Sequence, residues 1–356
     1  MRDNRHEMPS LAHKDILTEI DSVLEGYWMG TEYDTARSAF LGQISRVLEE
    51  GRVITRRTDA TRELSGESFT IKDPAQRCIV SPHRNSNVAA SIAESLWTLA
   101  GREDLHFIEP YLPRAAKFSD DGLTWRGAYG PRLRHHFGVD QLDEARRLLL
   151  YDSHTRRTAM SLFDPGCDYA DLDTKDVPCN NWLHFLRVDD RLDLSIAVRS
   201  LDLMWGFSGV DSFLWSLVHE LMAAWVGLKV GHQHWFVGSC HVYEIHLSRV
   251  ERILAAATGP NEPTRRIRYS GNWSGLESDL AAFFDVEMAL RSGVDVPCRE
   301  VEGRIPEALI CTLTICVAAF WDMRYGRRID HRLAWLSGTE FVPAIRQLAT
   351  WSKRTP

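Results

Sequence analysis

The feature that most constrains this chain is a change of hydrophobic period in its middle. Across Arg191–Arg199, the residues Leu192, Leu194, Ile196 and Val198 alternate with Asp193, Ser195 and Ala197. In an extended chain that alternation sends one set to a single face, the pattern of a half-buried strand. Ser212–Leu228 is then apolar almost throughout. It is too long for a strand and predicts a helix buried on most sides. Arg157–Leu162 and Trp182–Val188 read as further strands, Asp189-Asp190 as the turn between two of them, and His234–Ile245 as extended again. Upstream, Phe40, Leu41, Ile44, Val47 and Leu48 place a helix over Ser38–Gly51, and Ile92, Leu96, Trp97 and Leu99 place another over Asn87–Gly101. Gly259–Asn272 has loop composition; Leu276–Arg291, Pro306–Arg324 and Asp330–Trp351 read as mostly helical. The class is α+β: a mixed sheet packed against long helices, with a helical C-terminal part. The expected divisions are an extension over 1–36, a main domain over 37–258 and a C-terminal segment over 259–356.

The 356 residues carry a net charge of −7. There is no global basic field for a nucleic acid polymer, although a few local arginines suffice for one phosphate. The first 20 residues lack the apolar core of a signal peptide. The longest apolar stretch, Ala308–Trp321, is too short to span a membrane. Seven cysteines, an odd number with no CxxC pair, favour reduced thiols in the cytoplasm and argue against a structural zinc site or other metal. No Gly-rich dinucleotide fingerprint and no Walker loop occur.

Five segments in order carry the chemistry. They are Thr55-Arg56-Arg57-Thr58; Ala93-Glu94-Ser95-Leu96-Trp97; Thr155-Arg156-Arg157-Thr158; Val177-Pro178-Cys179; and a run from Val198-Arg199-Ser200 through Asp202 and Gly206 to His241-Val242-Tyr243. In this order the chain resembles thymidylate synthase and its relative deoxycytidylate hydroxymethylase, over roughly Ile44–His246. The resemblance implies a thymidylate-synthase-like fold over 37–258 and one-carbon transfer to C5 of a pyrimidine nucleoside monophosphate. The implied donor is 5,10-methylenetetrahydrofolate. It also implies a homodimer with shared active sites. Residue by residue, it makes Cys179 the nucleophile, Glu94 the acid/base, and Arg57, Arg199 and Ser200 the phosphate clamp. It sends Arg156 and Arg157 across the dimer interface, His241 and Tyr243 to the sugar, and Asp202 and Gly206 to nucleotide and donor.

The residues support this on their own terms. A pyrimidine C5 is a poor nucleophile until something adds at C6, and a thiolate does so covalently. A free thiol is mostly protonated at pH 7, so a neighbouring cation is expected to help, and Arg199 is the candidate. Glu94 stands among Ile92, Ala93, Leu96 and Trp97, which predicts a raised pKa suited to proton shuttling. The bland alternatives are a buried structural cysteine, a solvent-facing glutamate and surface ion pairs. Arg156 and Arg157 on one strand would face opposite ways. His241 and Tyr243, two apart, share a face.

Several positions depart from the family pattern. Asn180 follows the nucleophile where synthases carry His, and Val198 stands where they carry Gln. The uracil-reading Asn falls on Val210 or, with a one-residue slip, on Asp211. An Asp there favours cytosine, but Asp211 also sits where an N-cap for the Ser212 helix belongs. No tryptophans of the donor pocket have a counterpart between Leu105 and Gly122, and the short C-terminal tail is missing. These losses suggest a wetter site and hence hydroxymethylation at C5, and Asp211 as the base-reader makes the substrate a cytidine-type monophosphate. C5 methylation of dUMP, or a non-catalytic nucleotide binder, are the alternatives. The paired presence of Cys179 and Glu94 speaks against the last.

Overall fold

Thr35 and Ser38 set where the first helix begins. Each side chain accepts from the other's backbone N–H, at 3.2 and 2.9 Å, a reciprocal cap that satisfies two otherwise orphaned donors. The computed structural model describes residues 30–55, 59–170, 173–257, 259 and 264–352. Its described elements include strands β1 (Thr31–Tyr33), β2 (Arg52–Thr55), β3 (Ala60–Ile71), β4 (Ala159–Ser161), β5 (Asn180–Val188), β6 (Arg191–Asp202) and β7 (Lys229–Tyr243). The principal helices are α1 (Ala36–Glu50), α2 (Val88–Leu99), α3 (Gln141–Tyr151), α4 (Ser212–Trp225), α5 (Trp273–Arg291) and α6 (Ala308–Arg324).

The strands form one sheet in the order β1-β3-β7-β6-β5-β4, with β2 paired on β3. β5 and β6 form an antiparallel hairpin, and Asp189 turns it at φ +54. β6 and β7 run parallel, so the chain between them must cross a face of the sheet. The crossover starts as a π-helical segment, Leu203–Asp211, and continues without a break into α4. A π-helix of this length is rare, and such windings gather at functional sites.

The expected helix over Asn87–Gly101 is α2. Asn87 caps it by accepting from the N–H of Ala90 at 3.2 Å, and Gly101 leaves it at φ +70. The strand expected over Arg157–Leu162 is shorter, Ala159–Ser161. Arg156 and Arg157 therefore precede it in irregular backbone, both are exposed, and the opposite-face argument does not apply to them. The helix expected over Asp330–Trp351 is two, Asp330–Trp335 and Phe341–Ser352, because Gly338 breaks it at φ +79. The twelve-residue β3 and helix α3 were not anticipated. Leu64, Phe69 and Ile71 of β3 face the core, but polar residues separate them.

The C-terminal helices are built into the core. Leu309 to Asp322 of α6 are buried without exception. A helix buried all round shows no amphipathic stripe. α6 packs on both α5 and α2. Tyr111 joins the three regions: its hydroxyl donates to Glu287 Oε1 at 2.6 Å and accepts from Trp321 Nε1 at 2.8 Å, while its carbonyl accepts from Asn87 at 3.1 Å. A second tie is the buried Arg77–Glu220 ion pair; Glu220 also accepts from the N–H of Tyr269.

Candidate active site

α2 and the crossover segment present the first two groups. Eleven of the twelve residues of α2 are buried, and the exception is Glu94. Glu94 is half-buried, so its carboxyl stands at the least enclosed position of a helix packed on every other side. Burial pushes it up to about 8, with the charges of Asp211 and Asp176 adding to the effect.

Cys179 immediately precedes β5. Its carbonyl accepts from the N–H of Arg199 on the neighbouring strand at 2.9 Å. The Arg199 guanidinium donates to the carbonyls of Pro178 and Val177, each at 2.8 Å, and one of its nitrogens stands 3.8 Å from Cys179 Sγ. A side chain at Gly238, beside Arg199 on β7, would press a Cβ to 2.9 Å from the Arg199 carbonyl oxygen, so only glycine fits. The expected Cys–Arg neighbourhood is present, yet the thiol is not activated in the resting protein. Burial pushes it up to about 11. Arg199 opposes this, and Asp211, Asp176 and Asp202 reinforce it. At pH 7 the thiolate is then a small minority.

Asp211 does not cap the Ser212 helix. Its backbone is helical, at φ −57 and ψ −45, and its side chain makes no cap bond. The π-helical entry extends the helix backwards past Asp211, which moves the real cap to Asp202, whose Oδ1 accepts from the N–H of Met204 at 2.8 Å. Asp211 is buried instead, hydrogen-bonded to Asn180 and pushed up to about 7, chiefly by desolvation. A Cβ at Gly206 would stand 3.0 Å from Asp211 Oδ2, so Gly206 makes room for that carboxyl.

Asn180, first noticed only as a departure, is the hub of this wall. Its Nδ2 donates to the Tyr129 hydroxyl at 2.6 Å and its Oδ1 accepts from Trp215 Nε1 at 3.2 Å. Tyr129 and Trp215 were not foreseen, since one aromatic in a helix carries no positional signal. Asp176 was also missed: it is half-buried and takes the N–H of Gly127 at 2.9 Å.

Ser200 pairs with Ser239, and Asp202 with His241, on adjacent strands. His241 is buried and its ring lies 5.4 Å from that of Tyr243, edge to face. Arg57 lies outside the described residues. The exposed Phe118 and Trp205 rings approach to 6.4 Å beside Gly206. With Asp202, they offer two apolar faces and a carboxylate to a flat nitrogen heterocycle, which fits a pterin donor. Among the described residues, one group has metal-ligand chemistry: His136, Asp164 and Cys167, within 4.8 Å of one another. An Arg132 nitrogen 3.9 Å from Cys167 Sγ opposes a cation there. No helix among the described residues is long and apolar enough to cross a membrane.

Known proteins support the same assignment. The family model described as thymidylate synthase matches residues 38–286. The chain is 33% identical over 232 residues to a deoxyuridylate hydroxymethyltransferase of Delftia phage PhiW-14, a match that covers 62% of this chain and 64% of the relative. It is 35% identical over 214 residues to the protein of that name in Bacillus phage SP01, covering 57% and 56%. With the one in Pseudomonas phage M6 it shares 36% over 188 residues, covering 52% and 53%. The chain thus spans between about half and two thirds of the length of these relatives. On its family match and its ordered site residues, it belongs to the thymidylate synthase family.

Proposed function

We propose that this chain hydroxymethylates C5 of a cytidine-type nucleoside monophosphate, with Cys179 adding at C6. The observation that carries the reading is Cys179 Sγ standing 3.8 Å from an Arg199 nitrogen, with Asp211 and Asp176 near enough to act on both the thiol and the Glu94 carboxyl. Binding alone requires none of these. Protons for addition at C6 and removal at C5 need groups that titrate near neutrality, and Glu94 is one. When bound, 5,10-methylenetetrahydrofolate supplies the one-carbon unit, and Phe118, Trp205 and Asp202 hold it. Arg57, Arg199 and Ser200 take the nucleotide phosphate through charge-assisted bonds, and His241 and Tyr243 take the sugar. Three carboxyl groups that act on Cys179 (Asp176, Asp202 and Asp211) make a polar pocket that keeps water. Water rather than hydride therefore completes the reaction, giving hydroxymethyl.

The base assignment rests on Asp211. A neutral carboxyl donates to N3 of cytosine and accepts from its 4-amino group. The rival base is uracil, favoured by the name deoxyuridylate hydroxymethyltransferase of the three phage relatives. Asp211→Asn separates them. An amide suits the N3–H and O4 of uracil, so the variant should shift kcat/KM toward uridine nucleotides by about 10–100-fold, a loss of one or two hydrogen bonds. Competition kinetics with CMP, dCMP, UMP and dUMP measure this. A wild type that prefers uridine nucleotides would refute the cytosine reading and support the rival.

The working form is a homodimer in the cytoplasm, with exposed Arg156 and Arg157 reaching the phosphate of the partner's site. Mixing Cys179→Ala with Arg157→Ala protein should then restore about a quarter of wild-type activity, because one site in a mixed dimer is intact. Full activity in a monomer, by light scattering with parallel assay, would contradict it.

A further inference from the structure

We propose that Asp176 is the general base that takes the proton of the attacking water in the hydration step. The proposal rests on the hydroxymethylation reading above. It starts from how the segment Asp176–Asn180 is held. At one end Asp176 Oδ2 accepts from the N–H of Gly127; at the other Asn180 donates to the hydroxyl of Tyr129, two residues on from Gly127. Between them, the Val177 and Pro178 carbonyls take the Arg199 guanidinium. Two short stretches, 127–129 and 176–180, are thus tied at both ends, and Cys179 lies in the second. The Gly127 contact leaves no room for a side chain, since a Cβ would stand 2.8 Å from Asp176 Oδ1 and 3.0 Å from Oδ2. That fit holds the Asp176 carboxylate on the wall that carries the nucleophile.

The other carboxyls are committed. Glu94 serves the C5 proton, Asp211 the base, and one oxygen of Asp202 caps the crossover helix. Asp176 gives Oδ2 to the Gly127 N–H, which fixes the carboxylate without a role in proton transfer or base reading, and it acts electrostatically on both Glu94 and Cys179. Desolvation raises its own pKa, which makes its carboxylate a stronger base than an exposed one.

The nucleotide carries an exocyclic methylene at C5 and the Cys179 thioether at C6. The water oxygen bonds to the methylene carbon, and one water proton goes to the Asp176 carboxylate. The methylene π pair moves into the ring; the C5=C6 bond re-forms and the C6–S bond breaks, releasing Cys179 as thiolate. No oxidant or reductant is needed.

Asp176→Asn keeps the shape and an acceptor for Gly127 but removes the base. It should lower hydroxymethyl formation by about 100-fold or more, while Cys179-dependent exchange of the C5 hydrogen into deuterated buffer persists. An added thiol, which attacks as a ready-made anion, should restore turnover by capturing the methylene as a thioether. Wild-type hydroxymethyl rates in the variant would overturn the assignment. So would loss of exchange together with product, which marks a structural role. A wild type that yields no hydroxymethyl product from CMP, dCMP, UMP or dUMP would instead sink the underlying reading, and the assignment with it.

Discussion

Replacing Cys179 by alanine should abolish turnover while nucleotide binding survives. In the proposed reaction Sγ is the atom that makes C5 nucleophilic. Loss of a covalent nucleophile costs on the order of 10⁴–10⁶ in kcat. The proposed site assigns binding to the arginines, Ser200 and the His241–Tyr243 face, so calorimetry should find affinity changed little. The alanine also removes a thiol pushed up to about 11. At pH 7 that thiol is neutral, and its loss neither creates nor removes a charge. A variant that retains C5 chemistry would end the proposal. A variant that loses binding as well would show that Cys179 shapes the pocket rather than reacting in it.

Glu94→Gln should have the second largest effect, and it splits activity from stability. The amide cannot carry a proton, so kcat should fall by about 10²–10⁴-fold. Stability should move the other way. Burial pushes the folded carboxyl up to about 8 from its ordinary 4.5, so the folded state binds this proton more tightly than the unfolded chain. Stability is therefore lost as pH rises from about 4.5 to about 8, where the buried group is forced to ionise. Glutamine has no such loss. The variant should melt at the same temperature as wild type near pH 4.5 and above it at pH 8 and beyond. Thermal melts across this range check the sign. A variant less stable than wild type at pH 9 would mean that the carboxylate is paired and that the desolvation argument for Glu94 is wrong.

How much of this was legible in the sequence depends on how local each constraint is. The β5–β6 hairpin, α2 and the buried crossover helix follow from short periodic patterns, and the structure places them within a few residues of expectation. Cys179 and Arg199 were brought together by motif order, and the strand pairing explains why: they are opposite one another across β5 and β6. Asp211 was ambiguous because cap and base-reader need the same residue type. Only the π-helical winding, which no local pattern announces, removes the cap role. Asp176, Tyr129 and Asn180 became visible only through a contact between segments some fifty residues apart. The thiol's environment was misjudged for a related reason. Arg199 was visible in the sequence, but the burial that outweighs it was not, nor were the three carboxyls that add to it from the segment before β5, the end of β6 and the crossover. Nor did the last hundred residues announce that α6 would be enclosed against α2, because a helix apolar on all sides does not name its neighbours.

The mass of the nucleotide product separates water from hydride and cytosine from uracil in one experiment. The protein is incubated with 5,10-methylenetetrahydrofolate and each of CMP, dCMP, UMP and dUMP, and the nucleotide products are weighed by mass spectrometry. The account predicts a cytidine nucleotide bearing hydroxymethyl at C5, one oxygen heavier than the methylated product, with tetrahydrofolate released. A methylated uridine nucleotide with accumulation of dihydrofolate would contradict it and show that hydride, not water, completes the reaction.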